Sequence, residues 1–185
     1  MVAKARDIPG IDRDVPYARA AARVVEVRAE ELVDHSEGVL DMGDIERVHD
    51  MRVATRRLRA ALEVFRPCFP REEHRTALRE VKAIADALGE RRDRDVTIDA
   101  LENFARSLTA PDRPGIESLV DELRDEQAQA NEDLVPFVER DRLDALHRRL
   151  IALVAAADEL GDRAEPAASA QAGSNGSAPA GEDGR

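Results

Sequence analysis

The chain has 185 residues, 43% of them apolar, and a formal net charge of −11. That length and apolar content suit one domain with a substantial core, and the negative charge repels DNA, RNA and anionic membranes unless positive charge is gathered in one place. Cys68 is the only cysteine, which excludes an internal disulfide framework and a Cys-rich zinc site. Reducing, cytoplasmic conditions are the expectation. No apolar run approaches the roughly 18 residues of a membrane span, and the charged start of the chain (Lys4, Arg6, Asp7) lacks the apolar stretch of a secretory signal. The basic residues are arginines apart from Lys4 and Lys82. Arginine suits phosphate recognition because its planar fork matches two oxygens, although codon bias explains many of them equally well.

Turn signals divide the chain into helical segments with no alternating strand pattern between them, so the expected class is all-α. After a flexible N-terminus over 1–15, a first helix is predicted from Val15 or Pro16 to Glu37, with Ala18, Ala21, Ala22, Val25, Leu32 and Val33 at helical spacing and Gly38 as its stop. A short loop through Gly43 leads to Asp44, the predicted N-cap of a second helix that must end at Pro67 and Pro70. That helix would be roughly 30 Å long at 1.5 Å per residue.

A third helix is predicted from Arg71 to Leu88, burying Ala77, Leu78, Val81, Ile84, Ala85 and Leu88 and stopping at Gly89. A fourth is expected to start near Arg92 or Asp93 and end before the turn from Pro111 to Gly115, with Asp93 and Asp95 favouring the positive end of its dipole. Two more, Ile116 to Leu134 and Asp141 to Leu160, complete an antiparallel bundle of about six helices that closes at Gly161. Residues 162–185 carry no large apolar side chain and are expected to form a disordered tail.

The second helix carries the main functional signal. At about 100° per residue, His49, Arg52, Arg56 and Arg59 fall within roughly a quarter of the circumference, while Met51, Ala54, Leu58, Leu62 and Phe65 form a separate apolar stripe. Arg57 points elsewhere. On the third helix Arg75, Arg79 and Lys82 form a second basic stripe, which reads equally well as a solvated face paired with Glu72, Glu80 and Asp86. Together the stripes would make a groove for an extended anion with regularly spaced charge, a phosphate chain above all. Nucleic acid is poorly supported, because aromatics are only 3% of the chain and stacking platforms would be scarce.

His49 has three readings: a donor to a phosphate oxygen, a phosphorylated group, or a solvated residue near a helix start. His35, His74 and His147 lie in other segments without metal-ligand spacing, so no metal is expected. In Arg91-Arg92-Asp93-Arg94-Asp95, Arg92 could face the anion while an aspartate holds a neighbouring arginine; a charged turn with an acidic cap is the simpler reading. Cys68, between prolines, reads as buried filler. No acidic cluster suited to two metals and no P-loop is present, so catalysis and cofactors are not expected.

The motif His49-x-x-Arg52-Val53-x-x-Arg56-Arg57-Leu58-Arg59-x-x-Leu62-x-x-Phe65, followed by Lys82, Leu88-Gly89 and Arg92-Asp93-x-Asp95-Val96, resembles the conserved histidine α-helical domain family, CHAD. The resemblance covers roughly Pro16 to Leu108, within a helical domain expected over 16–161 whose four-helix core is like one half of the family's fold. It implies antiparallel helical bundles whose basic surface binds inorganic polyphosphate, often without catalysis, and association with polyphosphate granules. By position it assigns binding to His49, Arg52, Arg56, Arg57, Arg59, Lys82 and Arg92, with Asp93 as an arginine's partner; Arg75 and Arg79, from the stripe on the third helix, are supporting candidates. Family members usually carry a second bundle with its own motif, of which Leu146-His147-Arg148-Arg149-Leu150 is a faint echo. Either a homodimer rebuilds the enclosed basic channel, which is the favoured expectation, or the chain is a degenerate member that binds weakly. Two other classes compete: a histidine phosphotransfer domain using His49, in which Val53 would crowd the imidazole, and a structural helical adaptor.

Overall fold

The computed structural model describes the backbone of residues 4–172 and side chains to Asp162. Among the described residues it is all-α, with α1 Tyr17–Asp34, α2 Ile45–Val64, α3 Arg71–Ser107, α4 Arg113–Val138 and α5 Arg140–Ala172, and short 3-10 turns at Arg66–Cys68 and Ala110–Asp112. Helix α1 ends four residues before Gly38, which takes a φ of +70° in the connecting loop. Asp44 caps α2 as its sequence position predicts, accepting from the Glu46 N–H, and Pro67 falls in the 3-10 turn that ends the helix.

The predicted third and fourth helices are one helix. Gly89 does not stop α3, which runs 37 residues. A glycine inside a helix costs only about 1 kcal/mol relative to alanine, and the packing of Leu88, Arg91, Asp95 and Ile98 on either side of it outweighs that. Among the described residues there are therefore five α-helices where the sequence predicts about six. Gly161 likewise lies inside α5, where a Cβ would come within 3.3 Å of the Arg19 backbone nitrogen on α1. The glycine serves as a close-contact point between two helices. The backbone of α5 stays helical to Ala172, beyond the expected boundary at Gly161, and the predicted tail from 173 onward lies outside the described residues.

Helix α1 packs on α2 and α5, and α3 packs on α2, α4 and α5. The core joins α1, α2, the first half of α3, the end of α4 and α5, from Ala21 and Leu32 through Leu58, Leu62, Val81 and Leu88 to Leu134, Leu150 and Leu153. Helix α2 therefore stands across the core from α5. Its outward face is free of helical cover beyond its two neighbours. The second half of α3 and most of α4 form an antiparallel hairpin that extends past this core.

The turn between α2 and α3 is fixed by buried His74, whose Nε2 lies 2.8 Å from the Leu62 carbonyl oxygen and whose ring stacks on Phe69 at 5.8 Å. On the other flank Tyr17 packs on Phe65 at 5.1 Å and donates to the Val64 carbonyl. The His74 contacts set the relative position of the two basic helices, and the Tyr17 contacts tie α1 to the end of α2. Cys68, buried here, has its thiol pKa pushed up by desolvation, which agrees with a filler and leaves it a poor nucleophile.

Candidate functional site: a basic face across two helices

The apolar stripe of α2 explains which way its arginines point. Val48, Met51, Thr55, Leu58 and Leu62 are buried, which turns His49, Arg52, Arg56 and Arg59 outward along the side next to α3. Arg56 is exposed, and His49, Arg52 and Arg59 are part-exposed. The Arg52 and Arg56 side chains make no hydrogen bond or ion pair with any described residue.

Both ends of this face are tied to α3. Arg59 Nε donates to Glu63 Oε1 at 3.0 Å, and Lys82 Nζ from α3 lies 3.3 Å from the same oxygen. The two cations thus reach one anionic atom from different helices. The hydrogen bond from Arg59, reinforced by Lys82, outweighs the small effect of burial and holds the Glu63 carboxyl below its usual range. At the opposite end Arg92 Nη1 donates to the Ile45 carbonyl at 3.1 Å, and its Nη2 stands 3.7 Å from Glu46. Spacing along α3 places Ala85 and Gly89 between Lys82 and Arg92, and a Cβ on Gly89 would meet nothing within 4 Å. Small side chains leave room between the two helices.

The remaining predicted residues separate from this face. Arg57 lies towards α1, where its charge acts on buried Glu31. Burial pushes that carboxyl up, but hydrogen bonds from the Arg6 N–H and Arg28, with the charges of Arg28 and Arg57, outweigh it and leave its pKa lowered. Arg75 pairs with exposed Glu72 at 2.5 Å, and Arg79 is exposed without a described partner. On α5, Arg149 of the faint second motif pairs with Glu80 of α3 at 3.3 Å, between buried Leu146 and Leu150.

The Arg91 to Asp95 segment is not a turn, and of its residues only Arg92 joins the basic face. The segment lies mid-helix, and Asp95, not Asp93, holds an arginine: Asp95 pairs with fully buried Arg91 and accepts from Gln127 of α4 at 2.6 Å. Arg91 Nε and Nη2 and Asp95 Oδ2 have no hydrogen-bond partner among the described residues, and desolvation raises the Asp95 carboxyl above its ordinary value despite the nearby arginines. Asp93 stays exposed, and its backbone carbonyl accepts from Thr97. Sequence reasoning missed Gln127 and Glu63. The second had a signal, since Glu63 follows Arg59 by four residues on one face.

Hollows of about 470 and 630 Å³ lie between α3 and α4, one lined in part by Glu102, Arg106 and Arg124, the other by Glu90, Glu126 and Phe137. Neither includes the basic face. An open ridge-and-groove surface suits an extended ligand better than an enclosed small molecule. Among the described residues no group of three or more His, Cys, Asp or Glu side chains could hold a metal ion, and no helix is long and apolar enough to cross a membrane.

Comparison with known proteins adds one finding. The family model for the CHAD domain matches residues 23–179, which extends through α4 and α5 beyond the segment that carries the sequence motifs. No curated protein and no solved structure matches the chain. The basic motif on α2 and the match over most of the sequence agree, and the chain belongs to the CHAD domain family.

Proposed function

We propose that this protein binds inorganic polyphosphate, without catalysis by this domain, on the face formed by His49, Arg52, Arg56 and Arg59 of α2 with Lys82 and Arg92 of α3. The observation that carries the reading is that Arg52 and Arg56, at the centre of the face, have no described partner while the arginines around them do. Two adjacent guanidiniums repel each other and favour an anion between them. The family is associated with polyphosphate-binding proteins, which supports the same ligand. From His49 to Arg59 the face runs about 15 Å along α2 at 1.5 Å per residue, a length that favours a polymer over a single phosphate. The phenylalanines that follow α2 are engaged elsewhere, Phe65 with Tyr17 and Phe69 with His74, so a phosphate chain without bases fits the chemistry better than a nucleic acid.

Titration with long-chain polyphosphate at increasing salt tests the proposal. The expected result is saturable binding that weakens steeply with salt as counterion release loses its advantage, with far weaker competition from orthophosphate. Binding that is absent at low salt, or indifferent to salt, would refute it. Phosphotransfer through His49 is the second reading, favoured by the part-exposed imidazole. A stable phosphohistidine at His49 after incubation with a phosphodonor would put it first.

A further inference from the structure

Glu63 stands where a bound anion would stand. It lies on the same face of α2 as Arg59, one turn further on, and a single carboxylate oxygen meets Arg59 Nε at 3.0 Å and Lys82 Nζ at 3.3 Å. Its side chain is 43% exposed, so displacement requires rotation into solvent and no repacking of the core. One turn back from Arg59 along the stripe, Arg56 and then Arg52 have no equivalent carboxylate among the described residues.

Resting on the polyphosphate reading, we propose that Glu63 is an internal counter-ion that competes with the ligand for one end of the face. A polyphosphate chain settles first on Arg52 and Arg56 and reaches Arg59 and Lys82 by expelling the Glu63 carboxylate. From Arg52 to Arg59 is about 10 Å along the helix. A chain anchored at the centre therefore presents its next phosphates to the Glu63 end at high effective concentration. An unlinked orthophosphate has no such advantage against a carboxylate that is covalently part of the helix. The competition is mild, because exposed ion pairs are weak and easily screened.

The test compares the full chain with Glu63→Gln, a replacement of the same shape without charge, and with Asp121→Asn, which removes one negative charge from an exposed pair with Arg124 on the α3–α4 hairpin. Long-chain polyphosphate is titrated into each at low salt, and helicity and thermal midpoint are measured alongside. Glu63→Gln should bind about two- to fivefold more tightly, the size expected of an exposed ion pair, and Asp121→Asn should match the unaltered chain. Glu63→Ala should show the same gain, which separates the charge from any loss of side-chain fit. Equal or weaker binding by Glu63→Gln overturns the proposal, as does an equal gain in Asp121→Asn, which would assign the effect to net charge. If the unaltered chain binds no polyphosphate, the reading of the whole face falls and this inference with it; if it binds and Glu63→Gln gains nothing, the role of Glu63 alone falls.

Discussion

Two neighbouring clusters on this molecule use arginine in opposite ways. On the outer face of α2, Arg56 is exposed and Arg52 part-exposed, both unpaired among the described residues, whereas Arg91, inside the α3–α4 hairpin, is wholly buried with Asp95 and Gln127. The open arginines contribute little to folding, because water already solvates them. The buried one was stripped of water to form an ion pair that leaves two of its donor atoms and one carboxylate oxygen without partners among the described residues. Arg92, one residue further along α3, lies between these extremes, half committed to the Ile45 carbonyl and to Glu46. Arginine content therefore does not locate the site. Burial and partner supply do.

The largest effect that would sharpen this contrast is at Asp95. Replacing it with alanine leaves Arg91 charged in a dry environment and should cost about 3–5 kcal/mol of stability, measured by denaturant unfolding. Polyphosphate affinity of the folded variant should stay near that of the unaltered chain. A cost under about 1 kcal/mol would show that the pair is well hydrated and that the two regions differ less than their burial implies.

Glu31 gives a smaller and pH-dependent contrast. Its folded-state pKa is lowered, so its contribution is fully present above the ordinary glutamate range and is lost as pH falls through the lowered folded value. Asp95 has the opposite sign: its raised value means that ionisation costs stability as pH rises from the ordinary aspartate range through the folded value. Glu31→Gln should destabilise by about 1–3 kcal/mol at neutral pH, the scale of hydrogen bonds to a charged group. The difference from the unaltered chain should shrink as pH drops below the ordinary glutamate range. A difference that is constant with pH would mean that the Arg6, Arg28 and Arg57 cluster does not depend on the carboxylate charge.

The parts that could be read from sequence are those governed by local rules. Asp44 at a cap, the apolar stripe from Val48 to Leu62 and the prolines after Phe65 define α2 and orient its basic face without tertiary information. Gly89 misled because its penalty is small and its compensation is not local: it comes from packing of α3 on α4, including a polar contact between Asp95 and Gln127, 32 positions apart. The same limit applies to Gly161, which reads as a stop and proves to be a contact point with α1. In the candidate face, four outward residues follow from periodicity, and the resemblance places Lys82 and Arg92 beside them. The position of Arg57 against Glu31 and the sharing of Glu63 by two helices depend on how α1 and α3 dock, which spacing along α2 alone does not encode.

The central claim is that the unpaired arginines of α2 form a binding face, and the most direct measurement is a polyphosphate titration of the Arg52→Ala/Arg56→Ala variant beside the unaltered chain. The account predicts at least about a tenfold loss of affinity at low salt and a shallower dependence on salt, since about two fewer phosphates are neutralised. Helicity and unfolding midpoint should be unchanged, because neither side chain has a described partner to lose. Affinity and salt slope equal to those of the unaltered chain would place polyphosphate elsewhere and contradict the account.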